Sequence, residues 1–244
     1  PSGHGPREYE LCEFIGRSGG TVVREVEYGK RWVEVTRTGI TSLYPFSCAA
    51  LLSDGTVLLT NHTLGLMALS PNGGQRYLLG PGEVGNKIIL DRSGRYLAYQ
   101  LPKDFDSEFI YRGGIGLYDI SNDKTRELLY ADPPGAYSIL GWLREEVIHV
   151  EVPTPQTVRA VALDGSVRIV TQLPRSIRRF LRMRGTLLVY EEVQGGVFIV
   201  DLQDLGAPKE FPKATEARWT EVGLEVLVDG QRRVVHELLK SGGE

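Results

Sequence analysis

The sequence contains few of the residues from which disulfides and metal sites are built. Its 244 residues include two cysteines, Cys12 and Cys48, and four histidines. The cysteines can form one disulfide if their strands are neighbours, or they can remain two buried thiols, and both alternatives stay open. The histidines are scattered, without a His-x-His or His-Glu-x-x-His spacing. No metal site and no cofactor is therefore expected.

Long hydrophobic runs and a strong excess of one charge are also missing. No apolar run is long enough to span a membrane, so a membrane-spanning segment is not expected. The formal net charge is −3, which argues against a general nucleic-acid-binding protein. The chain begins at Pro1 without a methionine, so we expect a processed or truncated part of a larger protein, for which an exported or extracytoplasmic location is favoured.

No long stretch keeps the period of an α-helix, and short apolar alternations take its place. Residues 21–38 alternate along a hairpin, and residues 55–80 contain three apolar runs separated by polar turns. Valine, isoleucine, tyrosine and threonine are abundant, and 29 glycines and 13 prolines interrupt the runs. The best helix candidate, residues 231–240, is equally compatible with a strand. The sequence therefore predicts an all-β protein.

A turn between two apolar strands recurs along the chain and defines a repeat. It reads LLSDGTVLLT at Gly55, LDRSGRYLAYQ at Gly94 and LRMRGTLLVYE at Gly185, with weaker copies near Glu145 and Gly223. Successive copies are 39, 51, 40 and 38 residues apart, and each continues into two further short strands. Four strands in about 40 residues is the period of β-propeller blades.

Residues 45–82, PFSCAALLSDGTVLLTNHTLGLMALSPNGGQRYLLGPG, resemble the repeat of the TolB-like propellers, a PD40 or WD40-like family. The stretch LSDGTVLLT corresponds to their Ser-Pro-Asp-Gly turn, and LMALSPNGGQRYLLG to their third and fourth strands. The sequence departs from that turn, because SDG at 53–55 lacks the proline and RSG at 92–94 lacks the aspartate. The resemblance implies a propeller and a non-enzymatic role as a protein-binding, peptide-binding or scaffold domain.

The repeat map predicts a single propeller domain over residues 1–244, with blades that begin near residues 43, 84, 136, 177 and 215. Five blades are favoured. In that arrangement residues 30–38 close the ring by joining the last blade, and residues 1–28 form an extra hairpin. Six blades are the alternative, in which the N-terminal strands form a thin blade, because Gly20 lies 35 residues before Gly55.

Five arginines lie in residues 175–185, RSIRRFLRMRG, in a mildly acidic chain. On the repeat map, residues 177–183 are the first strand of a blade, and first strands line the central channel. Arginines held between blades need a carboxylate, channel water or a bound anion. Glu191, Glu192 and Glu216 are the nearby carboxylates.

Arg178, Arg179 and Arg182 are therefore candidate binding residues. A planar guanidinium suits phosphate, carboxylate or an acidic peptide end, so an anion-binding channel is one alternative function. Nucleic acid is not expected as a partner, since Phe180 is the only aromatic residue within the stretch.

Two further groups of residues are candidates for binding. Aromatic side chains predicted to be exposed mark a binding face, and they are Tyr44, Phe105 and Tyr137. Carboxylates at alternate positions can converge on calcium, and they are Asp104, Asp106 and Glu108. No glycine forms the sharp turn of a calcium loop there, so a solvated hairpin tip is favoured.

A carbohydrate-binding or glycoside-hydrolysing propeller is the other alternative function. Glycoside hydrolysis needs two carboxylates that face a common pocket. The predicted inner strands 43–51, 86–90, 137–143 and 177–183 contain no aspartate or glutamate, which argues against this enzyme class.

Overall fold

The computed structural model describes residues 11–27, 30–102, 104–105, 111–130, 136–152, 156–174, 177–204, 208–211 and 213–235. These residues form strands and turns, so the all-β prediction is confirmed. Their antiparallel sheets stand as six blades around a central channel, which makes the fold a six-bladed propeller. Within these ranges, no helix is long and apolar enough to cross a membrane.

The blades follow one another along the chain. Blade 1 consists of β1 (Leu11–Ser18), β2 (Thr21–Glu27), β3 (Arg31–Arg37) and β4 (Ile40–Tyr44). Blade 2 consists of β5 (Cys48–Leu51), β6 (Val57–Asn61), β7 (Gly65–Leu69) and β8 (Gln75–Leu79). Blade 3 consists of β9 (Ile88–Leu90), β10 (Tyr96–Gln100), β13 (Gly114–Asp119) and β14 (Lys124–Tyr130), and it carries a hairpin of β11 (Asp104–Phe105) and β12 (Tyr111–Arg112).

The second half of the ring repeats the pattern. Blade 4 consists of β15 (Ala136–Leu143), β16 (Glu146–Val152), β17 (Thr157–Ala162) and β18 (Val167–Gln172). Blade 5 consists of β19 (Ile177–Phe180), β20 (Leu187–Glu192), β21 (Val197–Asp201) and β22 (Lys209–Phe211). In the described residues, blade 6 consists of β23 (Ala214–Thr220), β24 (Gly223–Val228) and β25 (Gln231–Val235).

The prediction of five blades is wrong. The strands assigned to an extra hairpin, β1 and β2, pair with β3 and β4 in one four-stranded sheet, which is a complete blade. Ring closure by residues 30–38 is wrong for the same reason, since Arg31–Arg37 is the third strand of blade 1. The spacing of 35 residues between Gly20 and Gly55 was therefore the sequence feature that correctly indicated a sixth blade.

Adjacent blades bury the two faces of each sheet, and this explains why the inner strands are apolar on both faces. On β6, Val57 and Leu59 pack towards blade 1, whereas Leu58 packs towards blade 3. Five hydrophobic clusters fill the junctions from blades 1 and 2 through to blades 5 and 6. Outer strands such as β8 and β18 expose most of their residues, because only their inner edge meets the blade.

Among the described residues, the junction between blade 6 and blade 1 differs from the others, because contacts of an arginine side chain take the place of a hydrophobic cluster. The Arg184 guanidinium donates to the Phe14 carbonyl of blade 1 and, at 3.1 Å, to the Thr220 carbonyl of blade 6. It lies 5.3 Å from the centre of the Phe14 ring and 5.0 Å from that of Trp219. Cation–π contacts and charge-assisted hydrogen bonds therefore join the first and last blades.

Gly141 allows blades 4 and 5 to approach closely. A Cβ atom at this position would lie 2.5 Å from Cβ of Met183. The Met183 N–H donates to the Leu140 carbonyl at 2.9 Å, so the two inner strands meet backbone to backbone here.

We expect Gly141→Ala to lower the free energy of unfolding by about 1–3 kcal/mol, because the new methyl group forces the strands apart. Urea unfolding followed by circular dichroism measures the change. Met183→Gly in the same chain removes the Cβ atom that the new methyl group meets, so the double variant should cost less than the sum of the two single variants. A single-variant cost below about 0.5 kcal/mol would contradict the close approach.

Candidate functional site

The first strands surround a cavity of about 360 Å³ on the ring axis. Its volume lies at the small end of the range of about 300–1,000 Å³ that is typical of ligand sites. Every blade contributes to the wall, in chain order through Glu13, Cys48, Lys87, Ser138, Arg182 and Ala217. The predicted position of β19 at the channel is thereby confirmed.

Arg182 reaches from blade 5 across the channel. Its Nη1 donates to the Ala49 carbonyl at 2.8 Å, and its Nη2 donates to Glu25 Oε1 at 2.9 Å. Nη2 also lies 2.7 Å from Cys48 Sγ and 3.4 Å from the Ile88 carbonyl. One guanidinium therefore connects blade 5 with blades 1, 2 and 3, and this group forms part of the cavity wall.

Glu25 is held in place by two donors. Besides Arg182, the Ala49 N–H donates to Glu25 Oε1 at 2.8 Å. The side chains of Arg182 and Glu25 are 15% and 19% exposed, so their ion pair is largely withdrawn from bulk water. A partly buried ion pair of this kind holds both side chains in one arrangement.

Cys48 is a free, buried thiol, which contradicts the disulfide alternative with Cys12. Burial and the nearby Glu25 carboxylate raise the pKa of Cys48 to about 12, although Arg182 acts in the opposite direction. The thiol is therefore protonated at neutral pH, and it is not a nucleophile.

Arg179 is paired with a carboxylate of the next strand, which is one of the alternatives that the sequence left open. Its Nε and Nη2 donate to the two oxygens of Glu191 at 2.8 Å each, and Nη2 also donates to the Ala217 carbonyl at 2.7 Å. Arg178 is exposed and makes no ion pair with a described residue. An anion would have to displace a carboxylate from Arg179 and Arg182, which disfavours the anion-binding alternative.

Glu13 and Lys87 are two charged groups of the cavity wall that no ion pair with a described residue occupies. Both are partly buried, and neither makes a hydrogen bond or ion pair with a described residue. Burial and the Glu25 carboxylate raise the pKa of Glu13, while Arg182 and Lys87 oppose that rise. Burial lowers the pKa of Lys87. An acid and a base, each destabilised in its charged form, therefore face one space.

Glu13 also stands directly opposite Glu25 in the pairing of β1 with β2. Residues in this relation have Cβ atoms about 4.5–5.5 Å apart. The inner strand β1 therefore carries a carboxylate, Glu13, and its partner Glu25 stands on the second strand β2; the strands that the sequence predicted as inner did not include β1. The spacing of Gly20 before Gly55 is the signal that would have placed Glu13 on an inner strand.

The other candidate residues do not join the cavity. Tyr137 is buried, with its ring edge-on to His149 at 5.0 Å, so its predicted exposure is wrong. Tyr44 is partly buried and packs on the cluster between blades 1 and 2.

The calcium candidates and one aromatic candidate cannot be placed relative to the cavity. Asp106 and Glu108 lie outside the described residues, and so do the side chains of Asp104 and Phe105. Among the residues that the structure does describe, no group of three His, Cys, Asp or Glu side chains is arranged to hold a metal ion.

Solved structures resemble this chain in fold. No protein-family model matches the sequence, and neither does any curated protein. Tricorn protease matches with a TM-score of 0.65 at 9% identity, covering 93% of this chain and 29% of that one. An oligogalacturonate lyase in complex with manganese matches with a TM-score of 0.60 at 12% identity, covering 95% and 78%.

A second oligogalacturonate lyase, from Vibrio parahaemolyticus, matches with a TM-score of 0.59 at 12% identity, covering 93% of this chain and 79% of that one. The structural similarity establishes a common β-propeller fold. At identities this low, no activity can be transferred from these proteins to this chain. The relation to TolB-like propellers stays a prediction.

Proposed function

We propose that the protein is a non-enzymatic binding propeller that holds a short peptide, or a short segment of a partner protein, in the central cavity. The observation that carries this proposal is the cavity itself, about 360 Å³ in volume and lined by all six blades. Ligand sites are concave and hold a few polar groups at fixed places. Arg179, Arg182 and Glu25 supply this rigidity, because each is tied by several hydrogen bonds.

The chemistry of the wall supports a peptide better than an apolar ligand. Hydroxyl, amide, carboxyl and ammonium groups surround the space, and Ser138, Asn86, Glu13 and Lys87 are examples. A peptide backbone offers both hydrogen-bond donors and acceptors, so it can satisfy groups of both kinds.

Soluble peptides test the proposal. Equilibrium dialysis against randomised peptides of two to eight residues, with free and with blocked ends, should retain some of them, as identified by mass spectrometry. Ser138→Trp fills the cavity and should abolish retention. Ser121→Trp introduces the same side chain on an exposed turn and should leave retention unchanged. If the wild type retains no more peptide than Ser138→Trp does, the proposal is wrong.

A glycoside-hydrolysing propeller is the second candidate, favoured by the placement of Glu13 opposite Glu25. Retaining enzymes use two carboxyl groups about 5–5.5 Å apart. The side-by-side placement on one hairpin and the ion pair of Glu25 with Arg182 disfavour it, since the two acids of such an enzyme flank the substrate. Release of phenol from a panel of aryl glycosides by the wild type, and not by Glu13→Gln, would establish hydrolysis and contradict the non-enzymatic proposal.

A further inference from the structure

Internal pairing uses up half of the charged side chains that line the cavity. Arg182 pairs with Glu25, Arg179 with Glu191, and Arg218 with Glu225 at 2.8 Å. Glu27 and Arg31 also line the cavity and stand opposite each other in the pairing of β2 with β3, but their side chains make no ion pair with a described residue. Glu13 and Lys87 likewise make no ion pair with a described residue, and of these four residues they are the two that stand on or beside first strands, β1 and β9.

Glu13 and Lys87 lie close enough to influence each other. Each side chain acts on the ionisation of the other through the cavity, and both are partly buried in the same wall. Neither group has a hydrogen-bonded partner among the described residues, and partly buried charges without one are costly, so a ligand that supplies a hydrogen-bonded opposite charge to each gains more here than at the surface. The ligand that fits carries one positive and one negative group a short distance apart.

We propose that the central cavity is a site for short free peptides, whose terminal ammonium binds Glu13 and whose terminal carboxylate binds Lys87. This inference rests on the proposed peptide-binding function and names the feature of the peptide that is recognised. Two extended residues span at most about 7 Å, so a dipeptide or tripeptide is short enough to lie within the cavity of about 360 Å³ that both groups line.

The ionisation of the two groups agrees with this assignment. Burial and Glu25 raise the pKa of Glu13, and burial lowers the pKa of Lys87. A ligand ammonium group beside Glu13 would lower the pKa of Glu13 again. A ligand carboxylate beside Lys87 would raise the pKa of Lys87 again. Cys48, Glu25 and Arg182 also face this region, and their mutual hydrogen bonds keep them occupied.

The test uses randomised dipeptides and tripeptides in four forms: free, acetylated at the amino end, amidated at the carboxyl end, and blocked at both ends. Equilibrium dialysis with the whole chain should retain the free peptides best. Each block removes one charge-assisted contact and should lower retention by about tenfold or more.

Two variants test which residue binds which end of the peptide. With Glu13→Gln, acetylation should no longer lower retention, whereas amidation should still do so. With Lys87→Met, the pattern should be reversed. Glu145→Gln and Lys124→Met remove the same kinds of charge from exposed positions and should leave the full pattern intact. The comparison of free with blocked peptides needs no variant, so it stands even if a variant fails to fold.

The outcomes separate this inference from the proposed function. Equal retention of free and blocked peptides overturns the inference that the charged ends of the peptide are recognised, and it leaves peptide binding in place. Discrimination that survives both Glu13→Gln and Lys87→Met overturns the assignment to these residues. Retention of no peptide in any form overturns the proposed function together with the inference.

Discussion

Arg182→Met is expected to lower the free energy of unfolding by about 3–5 kcal/mol, because it leaves the Glu25 carboxylate without its partner inside the channel. The change also removes the hydrogen bond to the Ala49 carbonyl and the contacts to Cys48 and Ile88. The midpoint of urea unfolding, followed by circular dichroism, measures the effect.

Arg178→Met is the matched control. Arg178 is four residues earlier and exposed, so its loss should change stability by less than about 0.5 kcal/mol. Glu25→Gln in the Arg182→Met chain should recover part of the loss, because no unpaired charge then remains and the Gln oxygen can still accept from the Ala49 N–H. Equal costs for Arg182→Met and Arg178→Met would show that the bond across the channel contributes nothing to stability.

His149 should make the protein lose stability on acidification. The side chain is fully buried, and burial lowers its pKa to about 4 from the usual value near 6.5. Below about pH 6.5 the unfolded chain therefore takes up a proton that the folded chain refuses until about pH 4. The stability linked to this group is complete above pH 6.5, and about 2–3 kcal/mol of it should be lost by pH 4.5.

His149→Leu should remove this part of the pH dependence, and urea midpoints at pH 7.5 and pH 4.5 measure it. The charged residue that opposes protonation of His149 is Arg159 on β17, and the Tyr137 ring covers the other side. His62→Gln changes an exposed histidine and should keep the wild-type slope. An unchanged slope in His149→Leu would mean that the buried ring is not kept neutral.

The sequence is sufficient to predict contacts within a hairpin. Arg179 and Glu191 are 12 residues apart and stand on adjacent strands, so alternation and turn position bring them together. Asp54 accepts from the Thr56 N–H at 2.8 Å within its own Asp-Gly turn, as its residue type predicts. The repeat of about 40 residues gives the blades for the same reason, since each blade is built from neighbours in the chain.

Contacts between blades that are distant in sequence cannot be predicted from strand alternation and turn position. Arg182 meets Glu25 across 157 residues of sequence, and no local pattern specifies which side chain stands on the opposite wall. The carboxylate at Glu13 was overlooked for a related reason. Its strand looked like an addition to a five-bladed ring, and only the count of six makes that strand an inner one.

The distance in sequence that Arg182 bridges also concerns the order of events in folding. Its partners on blades 1, 2 and 3 are 94 to 157 residues away, so its bonds can form only after those blades and blade 5 have assembled around a common axis. Closing such long loops is entropically costly, and contacts of this kind come late. Interactions that are absent from the transition state mainly slow unfolding and have little influence on the rate of folding. Arg182 therefore mainly determines the rate at which the folded ring unfolds, whereas the hairpins mainly determine the rate at which it folds.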